Sequence, residues 1–137
     1  MQFFDFEDFA MSDIERANIE ARIDEEVARD LLGAVGRRVF EDLLGRFEQS
    51  VDEGVAEIEQ MAHEARWRDC AARLHRMAGG AEQFGMVAMA ARARELDHQT
   101  HDGSAWSILA PELAALKHGA DDDLKTLRAL ASLLAPQ

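Results

Sequence analysis

The stretch Trp67–Gly85, WRDCAARLHRMAGGAEQFG, decides the fold. Its apolar residues Trp67, Cys70, Leu74, Met77, Ala81 and Phe84 are spaced 3, 4, 3, 4 and 3 apart. That spacing is one buried stripe along an α-helix, and Gly85 breaks it. The helix is expected over about Arg68 to Phe84. Working outward, the same period recurs on both sides. On the N-terminal side a helix from about Arg37 to Ala65 carries Phe40, Leu43, Leu44, Phe47, Val51, Val55, Ile58, Met61 and Ala62, with Gly54 inside it at a cost of roughly 1 kcal/mol against alanine. On the C-terminal side Met86, Met89, Ala90, Ala93, Leu96 and Thr100 share one face of a further helix, and HDGS at 101–104 reads as a turn.

A last helix is expected from about Ala105 to Leu134, with the stripe Leu109, Leu113, Leu116, Ala120, Leu124, Leu127, Ala131 and Leu134. Pro111 sits near its start, where a missing N–H matters least. Gly119 and the run Asp121–Asp123 are expected to loosen its middle, and the run reads as a solvated face or turn. Before these four helices, Ser12 followed by Glu15 is a capping-box pattern, and Ile19, Ile23, Val27 and Leu31 recur every fourth residue until Gly33 and Gly36. Four amphipathic helices with short turns pack as an antiparallel bundle, so the fold class is all-α, a four-helix bundle with an additional N-terminal helix. Residues 1–22 form an acidic, aromatic extension and 23–137 the bundle. The extension's Phe3, Phe4, Phe6 and Phe9 are expected to pack against the bundle's end, with a docking segment or a dimer contact as the alternatives.

Composition agrees. The 137 residues include 24 alanines, two threonines and no tyrosine, a bias towards helix formers. No solenoid-length repeat appears. The net charge of −12 argues against nucleic acid and anionic membranes, which are held by basic patches. No apolar run reaches the ~18–20 residues of a membrane span. The acidic N-terminus lacks a signal peptide's basic region, and the single Cys70 suits a reducing compartment, so a cytoplasmic location is expected. Cys70 and the methionines Met77, Met86 and Met89 read as core residues.

His75 lies beside the buried stripe rather than within it. Its neighbours on that face are Arg68, Ala71, Ala72, Ala78, Gly79 and Glu82. Small residues leave an imidazole proud of the surface and let another protein approach. The mid-helix pair Gly79–Gly80 costs up to ~2 kcal/mol relative to alanine, which asks for a reason. Close helix packing beside an ordinary surface histidine would supply one; a docking face would supply another.

LHRMAGGAEQFG, Leu74–Gly85, resembles the signature of histidine-containing phosphotransfer (HPt) domains. That signature has a histidine, then a hydrophobic residue two positions on, lysine at three, glycine at four and glycine at ten. Here the positions hold His75, Met77, Ala78, Gly79 and Gly85. Trp67 matches a tryptophan often found eight residues before the histidine, and Asp97 an acidic or amide residue twenty-two after it. The resemblance covers about four-fifths of the chain. It implies a carrier in a phosphorelay that accepts a phosphoryl group on His75, with Asp97 orienting the imidazole. The alternative for Asp97 is an ordinary solvated helix residue.

The implied docking face is Arg68, Ala71, Ala72, Arg76, Ala78, Gly79 and Glu82. The implied partners are a response-regulator receiver domain or a hybrid histidine kinase. No cofactor is expected in the chain itself, because receivers bring Mg²⁺ and the acceptor aspartate. A monomer is expected. The chain has no phosphate loop and no kinase signature, so it cannot phosphorylate itself.

One departure stands out. Ala78 replaces the family's lysine, and Glu82 adds a negative charge one turn further on. Both work against a bound phosphate, although Arg68, Arg76, Arg92 or Arg94 can supply positive charge. This leaves open an adaptor that binds a receiver or kinase through the same face without being phosphorylated. A metal site is not expected: Glu95 and His98 form one E-x-x-H, and di-iron bundles need two.

Overall fold

The computed structural model describes residues 21–101 and 106–134. Among these there is no strand, and beyond the helical pair Ala21–Arg22 the elements are α1 (Glu25–Val35), α2 (Arg37–His63), α3 (Trp67–Gln83), α4 (Val87–His101) and α5 (Trp106–Leu134). Helices α2 to α5 pack in a ring, each against the next and α5 against α2, with α3 and α4 the most intimate pair. The short α1 lies against α2 and α3. This is the expected bundle with its extra N-terminal helix. The capping box at Ser12, the four N-terminal phenylalanines and most of the HDGS turn fall outside the described residues.

The stripes read from α2, α3, α4 and α5 form the core. Phe40, Leu44, Ile58, Leu74, Met77, Met86, Met89, Leu96, Leu109, Leu113, Leu124 and Leu127 are its largest fully buried side chains. Removing such area from water stabilises by roughly 25 cal/mol per Å². Phe84 closes one end, edge-on to Phe40 and 5.4 Å from the ring of Phe47. Cys70 is buried, its thiol on the Ile58 carbonyl, and burial pushes its pKa up.

Each turn has a local cause. Asp24 caps α1 by accepting from the Val27 N–H, and Gly36, at φ +84°, ends it. Ala65 takes φ +56° and stops α2 at His63, two residues short of the expected end. Gly85 takes φ +75° between α3 and α4. Its carbonyl accepts from the Asp24 N–H at 2.7 Å, and a Cβ on Gly85 would overlap the Asp24 carbonyl.

That contact corrects the N-terminal stripe. Ile23 and Asp24 are not helical, so the period restarts at Glu25. Ile23 is buried, but Ala28 and Leu32 are the buried residues of α1, while Val27 is exposed and Leu31 only partly covered.

The centre of α5 is corrected too. The helix runs unbroken through Gly119 and Asp121–Asp123. Asp123 is not solvated: it is 2 % exposed and takes both prongs of the Arg22 guanidinium, at 2.7 and 3.0 Å. Gly119 leaves the room, since a Cβ there would stand 2.7 Å from Arg22 Nη2. Burial pushes the Asp123 carboxyl above its ordinary range, and the Arg22 hydrogen bond pulls it back only in part. Pro111 lies within α5 rather than in its first turn, so the helix lacks the hydrogen bond it would give to Ser107.

Candidate functional site

His75 sits at the middle of α3 with its side chain 73 % exposed. The stripe on the other side of the helix, Leu74, Met77 and Ala81, is buried and fixes the backbone beneath it. Across the groove to α4, Asp97 presents Oδ2 3.6 Å from His75 Nδ1. The carboxylate is only 15 % exposed. Leu96, fully buried one residue earlier, holds that turn of α4 in place, and the Thr100 hydroxyl donates to the carbonyls of Leu96 and Asp97. His101, one turn on from Asp97, places Nε2 4.0 Å from the other oxygen, Oδ1.

The expected docking residues divide. Arg68, Ala72, Arg76 and Glu82 are exposed and Gly79 is partly so. Ala71 and Ala78 are not at the surface: they are 1 % and 0 % exposed. The correction is one of helix phase, because these two point into the bundle, where α3 and α4 pack most closely.

The two glycines also separate. A Cβ at Gly79 would meet nothing within 4 Å, whereas one at Gly80 would stand 2.7 Å from Phe47 Cε1. Close packing accounts for Gly80, whereas nothing in the fold itself requires a glycine at 79. Glu82 is not a free negative charge, since Arg94 of α4 pairs with it. Arg92 is engaged by Glu95 at 3.5 Å and Glu112 at 3.4 Å.

Charge is distributed unevenly. Residues 67–101 hold five arginines against four acids, while the rest of the chain has ten basic residues against twenty-three acidic. The hairpin that carries His75 is thus near-neutral within a strongly acidic molecule. Among the described residues no group of three or more His, Cys, Asp or Glu side chains is placed to hold a metal ion, and no helix is long and apolar enough to cross a membrane.

His75 is thus an exposed mid-helix histidine with a carboxylate of the next antiparallel helix beside it. The family model of the Hpt domain matches residues 42–130, about two-thirds of the chain. The chain belongs to the Hpt domain family. No curated protein matches it. Among solved structures, it is similar to histidine-containing phosphotransfer protein B from Pseudomonas aeruginosa PAO1, at 18 % identity and a TM-score of 0.61 over 81 % of this chain and 91 % of that one. At that identity the likeness concerns the fold.

Hpt domains serve histidine phosphotransfer in two-component phosphorelays, working with receiver domains and histidine kinases. Within that family the unusual features of this Hpt domain lie around its histidine. Its motif lysine is Ala78, whose methyl is buried. Three features escaped the sequence reading: Arg73 buried over Gly54, Arg22 clamped to Asp123, and His101 on the back of Asp97. Only the last had a usable signal, the i,i+4 spacing of Asp97 and His101.

Proposed function

We propose that this Hpt domain is a phosphoryl carrier that accepts the group on His75 from a receiver's aspartyl phosphate and donates it to a second receiver. The observation that carries the reading is the exposed His75 ring with a nearly buried carboxylate 3.6 Å from its Nδ1. A carboxylate there favours the tautomer with the proton on Nδ1 and leaves the Nε2 lone pair facing solvent. Nε2 attacks phosphorus, and the bond from phosphorus to the receiver's carboxylate oxygen breaks. The ring keeps its Nδ1 proton and gains positive charge, which Asp97 offsets. No proton has to leave. The reverse attack by a second receiver's carboxylate returns the neutral ring. Phosphoryl transfer is mostly positioning and charge stabilisation, and the receiver supplies the metal for it.

The adaptor reading rests on Ala78: no ammonium stands one turn from His75, so a phosphoryl group there has one cation fewer. Incubation with a panel of phosphorylated receivers separates the two readings. A carrier takes up label that is acid-labile and alkali-stable, and loses it in His75→Gln. Asp97→Ala should slow uptake about tenfold, the value of one charge-assisted hydrogen bond, without unfolding the bundle. An adaptor binds a receiver and never takes up label.

A further inference from the structure

Asp97 has two imidazoles on it, not one. Oδ2 faces His75 Nδ1 at 3.6 Å and Oδ1 faces His101 Nε2 at 4.0 Å. Both gaps are longer than direct hydrogen bonds and close to that length with shifts of about 1 Å or less, or through a single water. The carboxylate is 15 % exposed, while the rings are 73 % and 59 % exposed. The acid is thus mostly buried at the foot of two largely exposed rings.

Two other charged groups neighbour Asp97 along and across α4. Arg94 is paired with Glu82, and His98 follows Asp97 directly, a spacing at which helical side chains do not face each other. His101 is placed differently. It lies one turn towards the C-terminus, and helical side chains lean back over the turn before them.

We infer that His101 is a positioning residue for the phosphoacceptor: it engages the outer oxygen of Asp97 and so holds the inner oxygen on His75 Nδ1. An aspartate has two side-chain torsions, and its carboxylate can turn away from His75 towards solvent. A donor on Oδ1 removes that freedom. His101 acts only through Asp97, and the ring it serves is His75. Its role in transfer rests on the carrier reading, but its effect on the ring does not.

The test uses the full chain with ¹⁵N-labelled histidines. Long-range ¹H–¹⁵N spectra at a pH where the rings are neutral report the share of His75 carrying its proton on Nδ1. That share should fall at least twofold in His101→Ala. It should recover in His101→Gln, whose amide is a neutral donor with the i,i+4 geometry that supports Gln–Asp pairs on helices. Phosphoryl uptake should follow the same order, several-fold slower in His101→Ala. In an Asp97→Ala background, His101→Ala should change neither quantity. An unchanged His75 tautomer ratio in His101→Ala overturns the inference, as does an equal effect in the Asp97→Ala background. If the ratio shifts as expected but wild-type protein takes up no label from any receiver, the carrier reading fails and the positioning role stands.

Discussion

Gly79 and Gly80 are chain neighbours with opposite surroundings, and single substitutions should separate them. Gly79→Gln places a side chain in open space and improves helix propensity by about 0.5–1 kcal/mol, so stability to denaturant should rise slightly. The same change should obstruct receiver binding, and unaltered affinity in a titration would put the interface elsewhere. Gly80→Ala improves propensity as much, yet its methyl meets the Phe47 ring, which is itself packed at a tilt against Phe84. Overpacking of this kind costs about 1–3 kcal/mol, so the net effect on denaturant midpoint should be a loss. Ala78→Lys has a similar problem. On sequence alone it restores a missing cation one turn from His75. In the folded chain position 78 is fully buried, so the lysine stem has to thread out between α3 and α4. The variant should lose about 1–3 kcal/mol in stability even if it lengthens the life of the phosphohistidine. Glu82 is the weaker obstacle of the two, because Arg94 already offsets it. The sequence pointed to His75, Asp97 and the small residues around them, since spacing along a helix carries that information. It could not tell Gly79 from Gly80, or Ala78 from Ala72, because neighbouring residues lie 100° apart and the orientation of the stripe is settled only by what packs against it.

Helices α2 and α3 meet through two reciprocal contacts. Phe47 of α2 enters the notch at Gly80 of α3, and Arg73 of α3 enters the notch at Gly54 of α2. Seven residues separate the members of each helix, so both contacts belong to one antiparallel register. Arg73 is 7 % exposed, donates to the carbonyl and hydroxyl of Ser50, and lies 3.7 Å from Glu57. A Cβ at Gly54 would stand 2.7 Å from its Nη2. Gly54→Ala should therefore destabilise by about 1–2 kcal/mol despite the better helix former, because the guanidinium loses its seat on Ser50. In an Arg73→Ala background the same substitution should become stabilising, and a double-mutant cycle by urea denaturation checks the sign reversal. The sequence shows that Gly54 weakens α2 but not what occupies the space. The element boundaries it suggests are close, and they miss where a backbone contact intervenes, as Asp24 on Gly85 does at the start of α1.

At the scale of the molecule, a charged pair joins two distant parts of the chain. Arg22, placed by the sequence in the extension, spans 101 positions to Asp123 in α5. Arg22→Ala should cost about 1–3 kcal/mol at pH 7, less than a wholly buried pair would, since the arginine side chain is 41 % exposed. The loss should depend on pH. Burial already holds the Asp123 carboxyl above its ordinary value, and without Arg22 it rises further. A carboxyl raised by folding contributes most below its unfolded range and loses that contribution as pH climbs through its folded value. Thermal unfolding should therefore show a smaller penalty for Arg22→Ala near pH 4 than at pH 7, and an equal penalty would mean that Asp123 is not the group responsible. The α2–α3 notches bear on the whole fold in another way. The closely packed pair α3 and α4 buries Ala71, Ala78 and Ala81 on one side and Ala90 and Ala93 on the other, so α3 could slide by a turn along α4 and still bury small residues against small ones. Two keyed contacts in opposite senses remove that degeneracy, since a slipped α3 would press Phe47 against a side chain and leave an arginine buried without acceptors. The height of the His75 ring along the bundle is thereby singled out from its near-copies, and a partner docking on it would meet one surface rather than a family of them.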